Sequence, residues 1–179
     1  MKQPTFKLQY DPAEIRKLAD RYMAVSAEDD RKMEEAGQRI ARGEFSRANL
    51  EIVCGWKSRR RLRLLDKNTD KQIEQALNGA ISSSDVKDAV CPLTALAGIG
   101  VKMASAILTA IDPGRYTALD YRALEALGLE DSDDLDLYML YLDACLSMSK
   151  KHGVTMRTFD RANWQWSKCK EVCGPFPCR

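Results

Sequence analysis

Gly98, Ile99 and Gly100 stand between two apolar helical patterns in LTALAGIGVKMASAILTA, residues 93–110. Glycine inside a helix costs about 1 kcal/mol relative to alanine. Two glycines so close together mark a turn, or a backbone that meets something closely. Leu93 and Leu96 anchor a short first helix, and Ala104, Ile107 and Leu108 anchor a second. Gly98 suits the left-handed conformation that ends the first helix, and Ile99 pins the turn to the core. Gly100 lets the backbone approach a partner. The amides of Gly100, Val101 and Lys102 then open a helix, where N–H groups and the helix dipole together attract an anion, phosphate above all. The alternative is a plain αα-hairpin with a glycine cap and no ligand.

A second anion-seeking element is WKSRRRLR, residues 56–63, with five Lys or Arg in the seven positions from 57 to 63. Lys57, Arg59, Arg60 and Arg61 are suited to phosphates, and Trp56 to a base face. A solvated basic face covering an apolar Trp, with Ser58 capping a helix among the arginines, explains the same residues equally well. Trp164 and Trp166 read as core rather than as base platforms. The net charge of +2 over 179 residues argues neither for nor against a polyanionic partner, so the distribution of charge has to decide.

The elements that must position these residues are helical throughout, since no segment alternates with period two. DPAEIRKLADRYMAVS opens with Asp11 as a cap and Pro12 at the first helical position, and aligns Ile15, Leu18, Ala19 and Tyr22. AEDDRKMEEAGQRIARG follows as a separate, more polar helix stopped by Gly43. SRANLEIVCGWKS carries Ala48, Ile52 and Val53, and TDKQIEQALNGAI carries Ile73, Ala76, Leu77 and Ile81. DDLDLYMLYLDACLSMSKKHG has acids at its start, Lys150 and Lys151 at its end and Gly153 beyond. Its middle is apolar nearly all round, which predicts a central buried helix. MRTFDRANWQWSKCKEVC closes the fold with Phe159, Ala162, Trp166 and Cys169 at helical spacing. The expected fold is a compact all-α domain spanning 1–179.

The hairpin at 93–108 resembles the helix-hairpin-helix DNA-binding motif, with its glycine–apolar–glycine turn and small-residue second helix. IDPGRYTALDYRALEALG, which follows, is similar to the corresponding stretch of the helix-hairpin-helix DNA glycosylases of the endonuclease III and 8-oxoguanine glycosylase type. There a Gly/Pro loop leads to an aspartate that opens the next helix, and bifunctional members carry a lysine just after the hairpin. The resemblance covers about residues 91–128. RTFDRANWQWSK extends it toward short, uncharacterised bacterial relatives, which bring no known activity with them. It implies double-stranded DNA as partner, contacted through Gly98, Gly100, Val101 and Lys102, with Asp120 as the catalytic carboxylate and Lys102, eighteen residues earlier, as the candidate lysine.

Cleaving an N-glycosidic bond builds positive charge on the sugar, which a carboxylate can stabilise, or exploit by activating water. A lysine amine can instead attack the sugar carbon and form a Schiff base. The base must leave the stack to be reached. TALD, residues 117–120, is also a capping box with Thr117 as cap and Asp120 as the reciprocal acid, so Asp120 has a structural reading as well. The Gln-rich wedge helix of the glycosylases has no counterpart in EIVCGWKSRRRLRLL. A monofunctional glycosylase therefore ranks above a bifunctional lyase, with a non-catalytic DNA-binding or interaction module as the alternative.

No cofactor and no metal are expected. Cys54, Cys91 and Cys145 read as buried thiols. Cys169, Cys173 and Cys178 have neither C-x2-C spacing nor an evident fourth ligand beyond His152, the one histidine. No run approaches the roughly 18 apolar residues of a membrane span, and the start lacks a signal-peptide apolar region, so a cytoplasmic protein is the expectation.

Overall fold

The computed structural model describes residues 4–173, and the regular elements among them are all helical. In chain order these are α1 (Ile15–Ala41), α2 (Arg47–Ser58), α3 (Leu62–Leu65), α4 (Asp70–Ser82), α5 (Val86–Thr94), α6 (Val101–Ile111), α7 (Tyr121–Ala126), α8 (Leu135–Lys151) and α9 (Met156–Cys173). Single-turn 3-10 segments, Pro12–Glu14 and Arg59–Arg61, lead into α1 and α3. Asp11 caps the first as its sequence asks, accepting the Ala13 amide at 2.9 Å. None of the helices among the described residues is long and apolar enough to cross a membrane.

α1 replaces the two helices expected from the sequence with one of 27 residues. No Gly or Pro interrupts its middle. The charges there support the helix instead: Arg31 pairs with Glu28 and Glu35, and Lys32 with Glu28, at i,i+3 and i,i+4 spacing. The chain forms two compact units, one from residues up to Ala27 and from Leu119 onward, the other from Glu28–Ala118.

In the Glu28–Ala118 unit the central helix is α6, buried at every position from Met103 to Ala110. Its Ala, Ser and Thr residues let neighbours come close. At Gly37 of α1 an added Cβ would lie 2.0 Å from the Ala110 carbonyl oxygen, so α1 and α6 meet backbone to backbone. Helix α2 buries Asn49, Leu50, Val53 and Cys54, while Ala48 and Ile52, expected on the inner face, are exposed. Asn49 explains the rotation. Its Oδ1 accepts Arg39 Nε at 2.8 Å and its Nδ2 donates to the Glu44 carbonyl at 3.0 Å, so a polar residue has a satisfied place inside. Cys54 is buried, and burial pushes its thiol up to about 12. Cys91 is exposed, contrary to expectation, because it lies on α5 away from the buried Ala89, Val90 and Leu93.

In the other unit, α8 buries Tyr138, Tyr141, Leu142, Cys145 and Ser149. That stripe makes α8 an amphipathic wall, not the central helix its composition suggested: Met139, Leu140 and Leu146 are half-buried, and Asp143 and Ser147 are exposed. Its caps follow the sequence, with Asp134 accepting the Leu137 amide and Gly153 at φ 62° after the last turn. Helix α9 buries Phe159 and Ala162 as expected, and also Arg157 and Asp160, which pair at 2.6 Å. Trp166 stacks on Tyr10, and Trp164 meets Tyr22 edge-on with Arg122 and Lys168 over its ring. Both indoles are thereby occupied by the protein's own side chains.

The short α7 is tied to α9 by charge. Glu125 accepts from Lys170 at 2.7 Å and from Ser167 at 2.5 Å, and Arg122 pairs with Glu171 at 2.7 Å. The hydrogen bond from Lys170, aided by Ser167, holds the Glu125 carboxyl below the usual carboxylate range; Arg122 does the same for Glu171. A carboxylate whose folded pKa is lowered adds stability that is complete above its unfolded pKa, about 4.3 for Glu, and is lost as pH falls through the lowered value. The melting temperature should therefore drop as pH is taken below about 4.3. The Glu125→Gln variant should be less stable at neutral pH and flatter in that acid limb, as read by circular-dichroism melts. An identical acid limb in the variant would mean that the contact carries no pH-dependent stability.

Candidate nucleic-acid interface

The glycine turn and the basic run, the two elements expected to meet an anion, both lie in the Glu28–Ala118 unit. Helix α5 ends at Thr94 and α6 begins at Val101; Leu93, Leu96 and Ile99 are buried, so the turn is pinned as its sequence predicts. Gly98 has φ 89°, the left-handed region that glycine enters without penalty. Gly100 is the N-cap of α6 with ordinary extended angles, φ −99° and ψ −178°, which any residue adopts. Its lack of a side chain is therefore not a requirement of backbone conformation. It has a consequence all the same, because no side chain caps α6, whereas Ser46, Thr69, Asp85 and Asp134 cap α2, α4, α5 and α8. Val101 and Lys102, the first two residues of α6, are half-buried.

The basic run forms the end of α2, the 3-10 turn and α3. Arg59, Arg60, Arg61 and Arg63 are exposed, and none is paired with an acid among the described residues. Lys57 is half-buried. Ser58 occupies the cap position of the 3-10 turn without making a side-chain cap bond. Trp56 does not present a base platform. Its Nε1 donates to the buried Asp30 at 2.9 Å, which anchors the indole to α1.

These two elements, more than thirty residues apart in sequence, touch. A Cβ on Gly98 would stand 2.7 Å from Leu64 Cβ and 3.6 Å from the Arg61 carbonyl oxygen, so the arginine turn packs directly against the hairpin turn. Asn68, just beyond α3, joins them by hydrogen bonds. Its Oδ1 accepts the Ala97 amide at 2.8 Å, and its Nδ2 donates to the carbonyls of Ala97 and Leu65, each at 3.1 Å. Arg47 of α2 braces the same corner, donating to Leu65 O at 3.0 Å, to Asn68 O at 2.5 Å and to Asp70 at 2.8 Å. The sequence reading missed Asn68, Arg47 and Leu64. The signal for Asn68 was its polar type between two apolar helices, which reads equally as a turn residue.

Asp120 belongs to the other unit. It is itself the N-cap of α7, accepting the Arg122 amide at 3.0 Å, so the box with Thr117 as cap does not form. Thr117 is buried instead, and its Oγ1 has no hydrogen-bond partner among the described residues. No group of three or more His, Cys, Asp or Glu that could hold a metal occurs among the described residues. Cys169 accepts a hydrogen bond from Gln165 Nε2 at 3.2 Å; the Cys173 side chain and Cys178 lie outside the described residues. No protein-family model matches the chain, and neither a curated protein nor a solved structure matches it.

Proposed function

We propose that this protein binds the backbone of double-stranded DNA, as its resemblance to the helix-hairpin-helix glycosylases implies. One observation carries the reading: the glycine turn packs against the turn that bears a cluster of exposed arginines without acidic partners among the described residues. Like charges gathered without counter-charges repel one another, and a polyanion relieves that repulsion. Backbone amides at the start of α6 add donors aimed at a phosphate, and Gly100 offers no side chain to obstruct it. Contacts of this kind read phosphate rather than base edges, so binding is strong at low salt and nearly indifferent to sequence.

Neutralising Arg59, Arg60 and Arg61 together, each to Gln, should lower affinity for a duplex and flatten log affinity against log salt by about 0.9 per lost phosphate contact. Gly100→Leu should weaken binding with no backbone penalty of its own, because its angles suit any residue. Undetectable binding of the wild-type chain at low salt would overturn the reading; an unchanged slope in the triple variant would remove the arginines from it.

Base excision is the further step the resemblance implies. A carboxylate that stabilises the sugar cation loses that ability as Asn but can still cap α7. Asp120→Asn should therefore abolish release of a damaged base while sparing DNA binding. If Lys102 is a nucleophile, a reducing agent should trap a protein–DNA adduct that Lys102→Gln eliminates. Base release without an adduct makes the protein monofunctional. DNA binding without base release from any lesion makes it a binding module.

A further inference from the structure

We infer that Asn68 is a positioning residue: it locks the hairpin turn against the arginine turn so that the two engage one DNA backbone as a unit. This rests on the DNA-binding reading above. Asn68 is 6% exposed and spends its amide on main chain alone. Its oxygen must face the Ala97 N–H and its nitrogen the Leu65 and Ala97 carbonyls, a polarity that neither Asp nor Leu reproduces. The two bonds to Ala97 grip a single residue from both sides, one residue before Gly98. The bond to Leu65 fixes the other end on the helix that follows the arginine turn. Leu64, packed beneath Gly98, fills the space between. None of this is needed to close either helix, since α3 and α5 have their own backbone hydrogen bonds. It fixes the separation between two groups of phosphate contacts.

Anion-binding elements held at a fixed separation act together, because the second engages a backbone already placed by the first. Once uncoupled, each side must be ordered on binding. Asn68→Ala removes the clamp, and Asn68→Asp keeps the acceptor for Ala97 N–H while setting a carboxylate against two carbonyls.

The test uses the full chain and a short end-labelled duplex of arbitrary sequence, titrated across a sodium chloride series at a temperature where each variant is folded by circular dichroism. Asn68→Ala should bind about tenfold more weakly, with a salt slope shallower by about 0.9, the loss of one phosphate contact. In the background where Arg59, Arg60 and Arg61 are Gln, the same change should have little further effect, because the element it positions is already silent. Amide exchange at Ala97 should quicken in Asn68→Ala, which removes its acceptor, and less in Asn68→Asp, which keeps it. A merely structural role would lower the melting temperature yet leave the slope of the folded protein unchanged, or weaken binding equally in both backgrounds; either result overturns the inference while the DNA reading stands. A wild-type chain that does not bind the duplex removes both, and amide exchange then reports the clamp alone.

Discussion

Gly37→Ala should destabilise the protein by about 3 kcal/mol or more, at the upper end of what overpacking a core costs. On propensity alone the change should help, since Ala is better than Gly in a helix interior by about 1 kcal/mol. Sterics reverse the sign. The new methyl carbon would sit 2.0 Å from the Ala110 carbonyl oxygen and 2.7 Å from its Cβ, and a backbone carbonyl in a buried helix cannot swing aside as a side-chain tip can. Relief requires α1 and α6 to separate, which loosens the packing of a helix buried at every position from Met103 to Ala110. Urea unfolding should show a much lower midpoint with an unchanged slope. A midpoint equal to or above that of the wild type would mean that the two helices do not approach as described.

Gly98→Ala should cost about 2–5 kcal/mol, from a left-handed backbone penalty of about 1–2 and overpacking of about 1–3. Gly43 supplies the comparison. Its φ of 93° matches the 89° of Gly98, but a Cβ there meets nothing within 4 Å. Gly43→Ala should therefore show the backbone penalty alone, about 1–2 kcal/mol. The excess at Gly98 measures its contact with Leu64. Because that contact seats the arginine turn, Gly98→Ala should also weaken DNA binding at temperatures where it is folded, and Gly43→Ala should not. Equal destabilisation at the two positions would show that the hairpin and arginine turns are not packed together.

What the sequence revealed was local. The Asp11 cap, the Gly98 turn with Ile99 buried beside it and the glycine after α8 each depend on neighbours a few residues away, and each is where its chemistry puts it. What it hid depends on distant partners. Trp56 reads as a base platform until its Nε1 is seen bonded to Asp30, twenty-six residues earlier. The face of α2 is set by Asn49 through Arg39 and Glu44, which hydropathy does not register. Periodicity split α1 because its polar middle lacks a continuous apolar stripe, yet nothing there breaks a helix. Gly37 was the overlooked clue, an isolated glycine in a good helical pattern, whose cost has to be offset by close packing. The candidate interface was legible in its parts and not as a whole, because the contact joining hairpin and arginines rests on the hidden Leu64 and Asn68.

The order in which the two units can be completed follows from the chain's path. The Glu28–Ala118 unit is continuous in sequence, whereas its companion combines residues up to Ala27 with those from Leu119 onward. On the ribosome, Ile15, Leu18, Ala19 and Tyr22 are made well before Trp164, the ring that Tyr22 meets, which follows Tyr22 by 142 residues. At about 5–20 residues per second that face waits on the order of ten seconds for its partners. During that interval the nascent chain carries an uncovered apolar stripe, a target for holding chaperones and a hazard where ribosomes crowd.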